Sequence, residues 1–360
     1  MHILEFLAFL FTYASLIISF INFVSVRRPQ YSVAFTHPVT IIVPMRNEEA
    51  NVQGCLQSLA DQIEVQKMKV IVVDDASEDS TRAIAEAFAK GDSRFSVISA
   101  EPKPDGWIGK VNALQSGFLR SDGSYIVSID ADVRLRNDAL KKSLHTLEAL
   151  NLDFISVYPR QIALSFAEKL VQPLLRWSWM SSVLLRAAEA LQHPSTAVAN
   201  GQFFIVKSSS LNAIGGYSSV STDVIDDMAL ARKLIRNRYR GTVLEGSDIA
   251  STRMYKNFNE IRDGYGKSLW TAFGNSIGAV AVMCVVFISG ILPLLLALTG
   301  SAIGLLTLGF IISTRLMSAY RGGDSLLSAL LHPISSALLI YLIAYSLFNR
   351  DHITWKGRTL

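Results

Sequence analysis

Two aspartates with one residue between them follow a short apolar run near the middle of the chain. The run, residues 125–129 (YIVSI), is rich in β-forming residues and predicts a buried strand of a mainly parallel sheet. Asp130 and Asp132 come directly after it. A chain can turn where it leaves a sheet, so both carboxylates can face one divalent cation, and carboxylate oxygens suit Mg²⁺ and Mn²⁺. For such a pair alone, a solvated acidic turn is the commoner explanation, so the neighbouring motifs must decide.

Strand and helix patterns alternate along the first two thirds of the chain. The other predicted strands are residues 39–44, 69–73, 95–99, 153–159 and 200–207, and the predicted helices are 50–60, 81–90, 112–119 and 162–192. This alternation predicts an α/β fold with a parallel sheet. Ligands bind beyond the carboxyl ends of such strands, so we expect the loops 46–49, 74–79 and 130–132 to meet in one crevice.

A lysine and a pair of acids are further candidates for residues that bind substrate or take part in catalysis. Lys110 stands beside the start of the predicted helix 112–119, where an ammonium group suits a phosphate; an ordinary surface lysine is the alternative. Asp226 and Asp227 open an amphipathic helix, where acids favour the helix dipole. A carboxylate at that position could instead act as the general base for an acceptor hydroxyl.

The composition places part of this 360-residue chain in lipid. Half of the residues are hydrophobic and the mean hydropathy is +0.32, which is high for a soluble enzyme. The net charge of +4 fits an anionic membrane surface rather than nucleic acid, since the chain has no stripe of basic and aromatic residues. Cys55 and Cys284 stand in unrelated contexts, which argues against a disulfide framework and a zinc site.

Residues 3–26 are long and apolar enough to cross a bilayer, which needs about 20 residues. Arg27 and Arg28 follow this run, which favours an uncleaved anchor over a signal peptide and puts the next domain in the cytoplasm. Residues 275–312 predict two close-packed spans and 326–348 a last one, with Arg315, Arg321 and Asp324 in a polar loop between them. No ionisable residue is expected deep within a span, which argues against a transporter.

The predicted domains are a transmembrane anchor (1–28), a cytoplasmic domain (36–270), two or three C-terminal transmembrane helices (274–349) and a basic tail (350–360). The tail holds Arg350, Lys356 and Arg358. Three C-terminal spans would put this tail outside, against the positive-inside rule, and two spans or a re-entrant segment would put it inside. Both topologies stay open. We expect a multi-pass protein of a bacterial-type inner membrane, in contact with membrane lipids.

Several motifs together resemble glycosyltransferase family 2 in their order and spacing. They are residues 43–49 (VPMRNEE), 72–81 (VVDDASEDST), 130–132 (DAD) and 226–227 (DD). Residues 106–110 (GWIGK), 200–204 (NGQFF), 252–256 (TRMYK) and 264–267 (GYGK) are similar to a membrane-bound group that includes carotenoid glycosyltransferases and hopanoid-associated glycosyltransferases. The resemblance implies a GT-A fold, with a Rossmann-like nucleotide-binding sheet and a metal at Asp-x-Asp. The Gln-x-x-Arg-Trp motif of polysaccharide synthases is missing after Asp227, which argues against a processive synthase.

The resemblance also implies a reaction and a role for each candidate residue. A sugar, most often glucose from UDP-glucose, would pass with inversion from a nucleotide-diphosphate sugar to an apolar membrane acceptor, with the help of Mg²⁺ or Mn²⁺. On the donor side, Pro44, Arg46, Glu48, Asp74 and Asp75 would meet the base and ribose, Lys110 the diphosphate, Asp130 the ribose or the metal, and Asp132 the metal. On the acceptor side, Asp227 with Asp226 beside it would supply the base, Gly201, Gln202, Gly216 and Tyr217 would shape the site, and Arg253 or Lys256 would contact the departing diphosphate.

Two other functions remain open on the sequence. A polyprenyl-phosphate sugar transferase, or another glycolipid synthase, would share the donor site, but a phosphate acceptor needs no base. The chain could also be a scaffold with a degenerate transferase domain, although all the acidic motifs are intact. The identity of the sugar and of the acceptor cannot be read from the residues.

Overall fold

The computed structural model describes residues 3–30 and 33–349, together with the backbone at 354–355 and 358–359. Packing groups the chain into two units, and neither is continuous in sequence. The helical unit consists of Met1–Val26, Gln161–Arg186 and Arg253–Leu360, and the sheet unit of Arg27–Arg160 and Ala187–Thr252. This grouping differs from the predicted stretch 36–270, because residues 161–186 and those after 252 pack with the apolar helices.

A seven-stranded sheet forms the centre of the sheet unit. The strands of the chain are β1 (Val39–Met45), β2 (Met68–Asp74), β3 (Phe95–Ser99), β4 (Tyr125–Ile129), β5 (Val133–Leu135), β6 (Phe154–Tyr158), β7 (Arg160–Gln161), β8 (Phe203–Lys207), β9 (Gly241–Glu245), β10 (Ala250–Thr252), β11 (Thr354–Trp355) and β12 (Arg358–Thr359). The sheet order is β3-β2-β1-β4-β8-β6-β9; β8 is antiparallel to both neighbours and the other pairs are parallel. The predicted α/β sheet is therefore confirmed.

Fifteen α-helices occur in the described parts of the chain. They are α1 (Ile3–Ser25), α2 (Glu49–Ala60), α3 (Thr81–Gly91), α4 (Gly109–Leu119), α5 (Ala139–Ala149), α6 (Phe166–Ser182), α7 (Leu185–Leu191), α8 (Ser208–Ala213), α9 (Asp226–Arg236), α10 (Phe258–Ala272), α11 (Ser276–Val286), α12 (Leu292–Leu298), α13 (Ala302–Gly322), α14 (Leu326–Leu330) and α15 (His332–Phe348). Short 3-10 turns lie at Pro194–Thr196 and Gly216–Val220.

Both faces of the sheet are buried under helices. Ile41 and Val43 of β1 join one apolar cluster with Leu56 of α2. Ile42, which points to the other face, joins a second cluster with Leu114 of α4. This double burial explains why the central strands are continuous apolar runs rather than alternating ones.

Three helices of the helical unit are long and apolar enough to cross a membrane. They are Ile3–Ser25, Ser276–Leu298 with a π-helical turn at Phe287–Ile291, and Ala302–Gly322. His332–Phe348 is also apolar but has only 17 residues. The prediction of apolar helices at the N-terminus and in the C-terminal part is therefore confirmed, and their orientation across the membrane stays a prediction.

The prediction of one long helix over residues 162–192 is wrong. The chain forms α6 and α7 instead, with a break after Ser182. Asn22 of α1 binds this break: its side-chain amide donates to the carbonyls of Met180 (2.9 Å) and Val183 (2.6 Å), and its oxygen accepts the Leu185 N–H (3.1 Å). Because the exposed backbone groups at the break are satisfied by Asn22, the interruption is stable inside a packed bundle.

The predicted polar loop and last span also need correction. Arg315 and Arg321 lie inside α13, which ends at Gly322 and is followed by Gly323 with a left-handed φ of +67°. The segment 326–348 is divided at Leu331 into α14 and α15. Arg315 is only 1% exposed, so an ionisable residue does lie within a candidate span.

The predicted basic tail cannot be compared with the structure. Arg350 and Lys356 lie outside the described residues, and only the backbone of Arg358 is described.

Candidate active site

The loops that follow β1 and β2 are joined by a buried arginine. Arg46 donates through Nη1 to the carbonyls of Asp75 and Ala76, both at 2.7 Å, and its Nη2 lies 3.1 Å from Glu78 Oε1. Its side chain is 7% exposed. Arg46 therefore holds the second loop in place, and its contact with a donor stays a prediction.

Two residues with left-handed backbone shape the same pair of loops. Asn47 has φ +51° and Ala76 φ +53°, which is uncommon for residues other than glycine. Reciprocal hydrogen bonds fix them: the Asn47 N–H donates to Ser77 Oγ (3.1 Å), and Asn47 Oδ1 accepts the Glu78 N–H (2.8 Å). The Ser77 N–H donates in turn to Asp74 Oδ1 (3.2 Å). Strained loops persist where surrounding contacts over-determine them, and such loops cluster at functional sites.

Pro44 and Glu48 belong to the same loop region. Pro44 lies opposite Val73 near the end of the β1–β2 pairing. The Glu48 N–H donates to Thr81 Oγ1 (2.7 Å), and its carboxylate accepts a hydrogen bond from the Asn51 side chain (2.8 Å). The structure therefore brings the predicted nucleotide-side residues together at the carboxyl ends of β1 and β2.

Lys110 forms an ion pair with the first aspartate of the Asp-x-Asp motif. Its Nζ lies 2.6 Å from Asp130 Oδ1, with the two side chains 20% and 27% exposed. The backbone N–H of Asp130 donates to the Gln202 carbonyl (3.1 Å), since antiparallel β8 begins beside the end of β4. Burial alone would lower the pKa of Lys110, but the charges of Asp130, Asp226 and Asp227 outweigh it and raise the pKa. The ammonium group therefore stays charged.

The turn between the two aspartates is held by Arg134. Its Nη1 donates to the carbonyls of Ala131 and Val133, both at 2.9 Å, and its Nη2 donates to the Asn51 carbonyl (3.1 Å). Gly54 packs closely against this guanidinium, and a Cβ there would lie 2.6 Å from Arg134 Nε, so a side chain at position 54 would displace the guanidinium. Sequence reasoning missed Arg134. A charged residue in the centre of a short apolar strand, two positions after an aspartate, was the available signal.

Asp132, the second aspartate of the motif, is a half-buried carboxylate with a raised pKa. Burial is the largest cause, the negative charge of Asp130 adds to it, and together they raise the pKa of Asp132 to about 6. Lys110 offsets part of this effect. Two carboxylates with one ammonium group beside them leave negative charge that a cation would stabilise.

Asp227 lies at the start of α9, where two backbone groups orient it. Its Oδ2 accepts the Gly201 N–H at 2.6 Å and its Oδ1 accepts the Met228 N–H at 2.7 Å. A Cβ on Gly201 would lie 3.2 Å from Asp227 Cβ and 3.4 Å from Lys110 Nζ, so the carboxylate and the ammonium group flank this glycine. Burial and then the charge of Asp226 raise the pKa of Asp227 to about 6, and Lys110 partly opposes them. The predicted acid pair and the Asp-x-Asp region therefore meet around Lys110.

Comparison with known proteins identifies the family of this site. Residues 40–215 match the model of glycosyl transferase family 2. The chain contains a family 2 glycosyltransferase domain. A 4,4'-diaponeurosporenoate glycosyltransferase of Staphylococcus aureus strain MRSA252 is 26% identical over 343 residues, which cover 90% of this chain and 88% of that protein. The enzyme of the same name from strain USA300 is 27% identical over 270 residues, covering 73% of this chain and 69% of that protein. The predicted resemblance to family 2 and its carotenoid glycosyltransferases is confirmed.

A solved structure gives the fold of the glycosyltransferase domain independently. The mannosyltransferase PcManGT of Pyrobaculum calidifontis, solved in complex with GDP-Man and Mn²⁺, superposes with a TM-score of 0.55 at 20% identity. The match covers 97% of this chain and 99% of that one. The predicted GT-A fold is therefore confirmed.

The glycosyltransferase domain offers two carboxylates rather than a complete metal cage. Within the described residues, no three His, Cys, Asp or Glu side chains form a group that could hold a metal ion. Asp132, with its raised pKa, and the neighbouring Asp130 supply hard oxygen ligands and surplus negative charge. This donor set fits Mg²⁺ or Mn²⁺, which usually keep several waters and share their site with substrate phosphates.

Two predicted acceptor-side residues of the glycosyltransferase domain lie under the surface. Tyr217 is 2% exposed, and its ring packs edge-to-face on Phe118 of α4, with ring centroids 6.2 Å apart. Gly216 has φ +72°, and a Cβ there would lie 2.6 Å from Gln115 Oε1. Both residues support α4, the helix that carries Lys110, and their contact with an acceptor stays a prediction.

The predicted diphosphate contacts lie in the helical unit, where they have other neighbours. Arg253 Nε lies 2.9 Å from Glu168 Oε1. Burial would raise the pKa of Glu168, but hydrogen bonds from Arg253 and Ser165 outweigh it and lower the pKa to about 2. Lys256 is exposed just before α10. A diphosphate contact by either residue stays a prediction.

Proposed function

We propose that this chain is an inverting glycosyltransferase that moves a sugar, with glucose as the first candidate, from a nucleotide-diphosphate sugar to an apolar membrane acceptor such as a carotenoid or a hopanoid. One observation carries the proposal. Lys110 forms an ion pair with Asp130 of the Asp-x-Asp motif and also lies beside Gly201, which binds the carboxylate of Asp227. A group suited to a diphosphate is thus placed between a metal-binding pair and a candidate base.

On the donor side, the proposal gives Lys110 and the two aspartates separate tasks. Asp132 and Asp130 hold Mg²⁺ or Mn²⁺, which when bound stabilises negative charge on the nucleoside diphosphate. Lys110 exchanges its pairing with Asp130 for the diphosphate, because both partners are anions within reach of one flexible ammonium group. The loops that Arg46 and Asn47 interlock supply the rigid surface for the base and ribose.

On the acceptor side, Asp227 acts as the general base. One carboxylate oxygen takes the proton of the acceptor hydroxyl as that oxygen forms a bond to the anomeric carbon. The bond from this carbon to the donor phosphate oxygen breaks, and the electron pair leaves with the nucleoside diphosphate. A single displacement of this kind inverts the anomeric configuration. The N–H groups of Gly201 and Met228 hold the carboxylate in position for the transfer.

The nature of the acceptor rests on the membrane helices and on the relatives. Three helices of this chain could cross a membrane, so a lipid-soluble acceptor need not leave the bilayer. The S. aureus relatives are named for 4,4'-diaponeurosporenoate, a carboxylate; an ionised carboxylate would attack the anomeric carbon in the same displacement without giving a proton to Asp227, so the role of Asp227 as base is tested with a hydroxyl acceptor. Arg27 and Arg28 follow the first apolar helix, which supports a cytoplasmic catalytic domain.

The function is tested with full-length protein in nanodiscs, Mn²⁺ or Mg²⁺, and radiolabelled UDP-glucose. The acceptor panel contains a hydroxylated carotenoid, a carboxylated carotenoid, a hopanoid, a diacylglycerol and a polyprenyl phosphate. We expect label in one organic-soluble product, from a carotenoid or the hopanoid. Transfer to polyprenyl phosphate alone would contradict the proposed acceptor class and identify a polyprenyl-phosphate sugar transferase instead. A chain that binds no nucleotide with either metal would be a scaffold and not an enzyme.

The activity should rise with pH around pH 6. The pKa of Asp227 lies at about 6, above its usual value near 3.8, and a general base works only when it is deprotonated. We therefore expect kcat/KM to fall about tenfold for each pH unit below 6 and to be level from about pH 7. Asp132 titrates in the same range, so the profile is measured at saturating Mn²⁺, where metal competes with protons on Asp132 but not on Asp227. A level profile between pH 5 and 8 would remove Asp227 as the base.

Gly201→Ala should slow the reaction through the position of Asp227. The new methyl group would lie 3.2 Å from Asp227 Cβ, so Asp227 must shift by a few tenths of an ångström, which disturbs the 2.6 Å hydrogen bond that its carboxylate accepts from the N–H of residue 201. We expect kcat to fall by about 10 to 100-fold, since sub-ångström displacement of a base is costly. Gly91→Ala is the matched control, because a Cβ at Gly91 meets no atom within 4 Å. Equal activity of the two variants would contradict this role of Gly201.

A further inference from the structure

A buried arginine in the helical unit has no part in the proposed reaction. Arg315 is the fourteenth residue of the 21-residue helix α13, a candidate membrane span, and its side chain is 1% exposed. It precedes the last residue of the helix by seven positions, a distance of about 10 Å along the axis. Charged side chains at such depth are costly and rare, and they mark functional sites.

Few protein groups offset the buried charge of Arg315. Its guanidinium lies over the ring of Trp177, 6.0 Å from the centroid. Within the described residues it makes no hydrogen bond or ion pair, and its Nε is sealed from solvent. Asp324 acts on it electrostatically, but the carboxylate of Asp324 forms its ion pair with Arg176, at 3.0 Å. Two buried guanidinium groups therefore share one carboxylate.

Other buried polar atoms near Arg315 also lack a hydrogen-bond partner among the described residues. Ser318 lies one turn further along α13, and its hydroxyl has no hydrogen-bond partner among the described residues. The ring of His332 packs on Trp177 with centroids 4.7 Å apart, and its Nδ1 likewise has no partner there. Its other nitrogen lies 3.3 Å from Ser336 Oγ. When Nε2 accepts a hydrogen bond from the Ser336 hydroxyl, the neutral ring carries its hydrogen on Nδ1, which can then donate to a ligand.

These groups share one chemical preference. A guanidinium, a hydroxyl and an imidazole N–H are all donors, and the surplus charge is positive, so their natural ligand is an oxyanion. We propose that Arg315, with Ser318, His332 and Trp177, binds the carboxylate or phosphate head group of a membrane-soluble amphiphile. The apolar helices around Arg315 favour a ligand whose body is itself apolar. The proposal goes beyond the transferase function, since it requires neither donor nor Asp227.

A stability comparison tests whether Arg315 lacks a protein partner. The full chain is purified in detergent, stripped of lipid by exchange, and melted as wild type, Arg315→Leu and Arg176→Leu. We expect Arg315→Leu to melt at or above the wild-type temperature, because it removes an uncompensated buried charge. Arg176→Leu should melt several degrees lower, because it leaves Asp324 without its ion-pair partner. Equal losses in both variants would show that Arg315 is a structural ion-pair residue, and would overturn the proposal.

A binding comparison then tests the ligand, with Trp177 as the reporter. The protein is placed in phosphatidylcholine nanodiscs and titrated with 9,10-dibromostearic acid or its methyl ester, which quench nearby tryptophans. We expect the acid to quench at least tenfold more effectively than the ester in wild type. Arg315→Leu should remove this preference, Arg315→Lys should retain part of it, and Trp177→Phe should remove most of the quenching. Equal quenching by acid and ester would overturn the proposal.

Competition separates a lipid head group from a soluble anion. Unbrominated phosphatidic acid and oleic acid should each restore the fluorescence quenched by dibromostearic acid, whereas uncharged diacylglycerol should not. Inorganic phosphate at 10 mM should leave the quenching unchanged, because it has no apolar body. Displacement by inorganic phosphate at a concentration similar to that of the lipids would overturn the assignment to an amphiphile.

Discussion

Asp227→Asn should lower sugar transfer by about 10² to 10⁴-fold while the protein stays folded and binds its donor. An amide keeps the shape of the carboxylate but cannot take a proton from the acceptor, which removes the contribution of a general base. Folding should be largely spared, because burial and then the charge of Asp226 raise the pKa of Asp227, so the folded protein already disfavours its charged form. The amide loses only the attraction to Lys110 and one of the two hydrogen bonds from backbone N–H groups. Transfer is measured as label in the organic phase, and donor binding by calorimetry with Mn²⁺.

The matched control for this prediction lies four residues earlier. Asp223 is an exposed carboxylate in the loop before α9, so Asp223→Asn should transfer sugar at the wild-type rate. If Asp227→Asn retained more than a tenth of wild-type turnover, Asp227 would not be the base. That outcome together with transfer to polyprenyl phosphate would instead identify an acceptor that needs no deprotonation.

Asp132→Ala should abolish both metal-dependent donor binding and transfer, with a loss of activity of at least about 10³-fold. The variant loses one of the two carboxylates of the motif, and Asp130 alone already has Lys110 as a competing partner. Burial and the charge of Asp130 raise the pKa of Asp132 to about 6, so its charge costs more free energy in the folded protein than in the unfolded chain. Loss of this carboxylate therefore should not lower the free energy of unfolding through the loss of a favourable charge interaction. The difference from Asp227→Asn is diagnostic, because that variant should still bind UDP-glucose with Mn²⁺.

Asp122→Asn controls for the loss of an acidic group. Asp122 is an exposed residue just before β4, at the opposite end of the strand from the motif, where it pairs with Lys69. We expect its binding and turnover to match wild type. Metal-dependent donor binding by Asp132→Ala at wild-type affinity would show that the metal, if used, is held elsewhere.

Local patterns predicted the central strands and the convergence of the site. The strands at 95–99 and 125–129 were predicted with their observed bounds, because short β-branched runs bounded by glycine or polar residues have few other solutions. The meeting of the loops after β1 and β2 was predicted by the rule that loops at strand carboxyl ends converge, whereas Lys110 was connected with the Asp-x-Asp motif only through the roles that the family resemblance implied. The strand β5 was missed, because three residues are too few to show a period.

Residues whose partners are distant in sequence were the ones misjudged. Asn22 is a polar residue within the apolar run 3–26, and its sequence neighbours do not indicate that it binds backbone groups about 160 positions away. Arg315 was placed in a loop because charge is expected in water, whereas its side chain is buried against Trp177. Arg46 and Arg134 interlock loops through backbone carbonyls, and a sequence does not show which carbonyls will be near. Each error has the same physical cause, since long-range burial overrides the local preference of a polar residue.

The discontinuity of the two units constrains how this protein can be made. The edge strand β9 pairs with β6, and β6 pairs in turn with β8, but 26 residues of the helical unit, Gln161–Arg186, are synthesised between β6 and β8. The strand β9 can therefore join the edge of the sheet only after β6, the inserted segment and β8 have been synthesised. Gln161–Arg186 can pack on α1 as soon as it is made, but its other packing partners, α10, α13 and α15, are synthesised later. No single cut isolates the catalytic half. A soluble version would need residues 27–252 with a short linker in place of 161–186, whereas deletion of the C-terminal helices alone would leave that segment with its apolar surface uncovered.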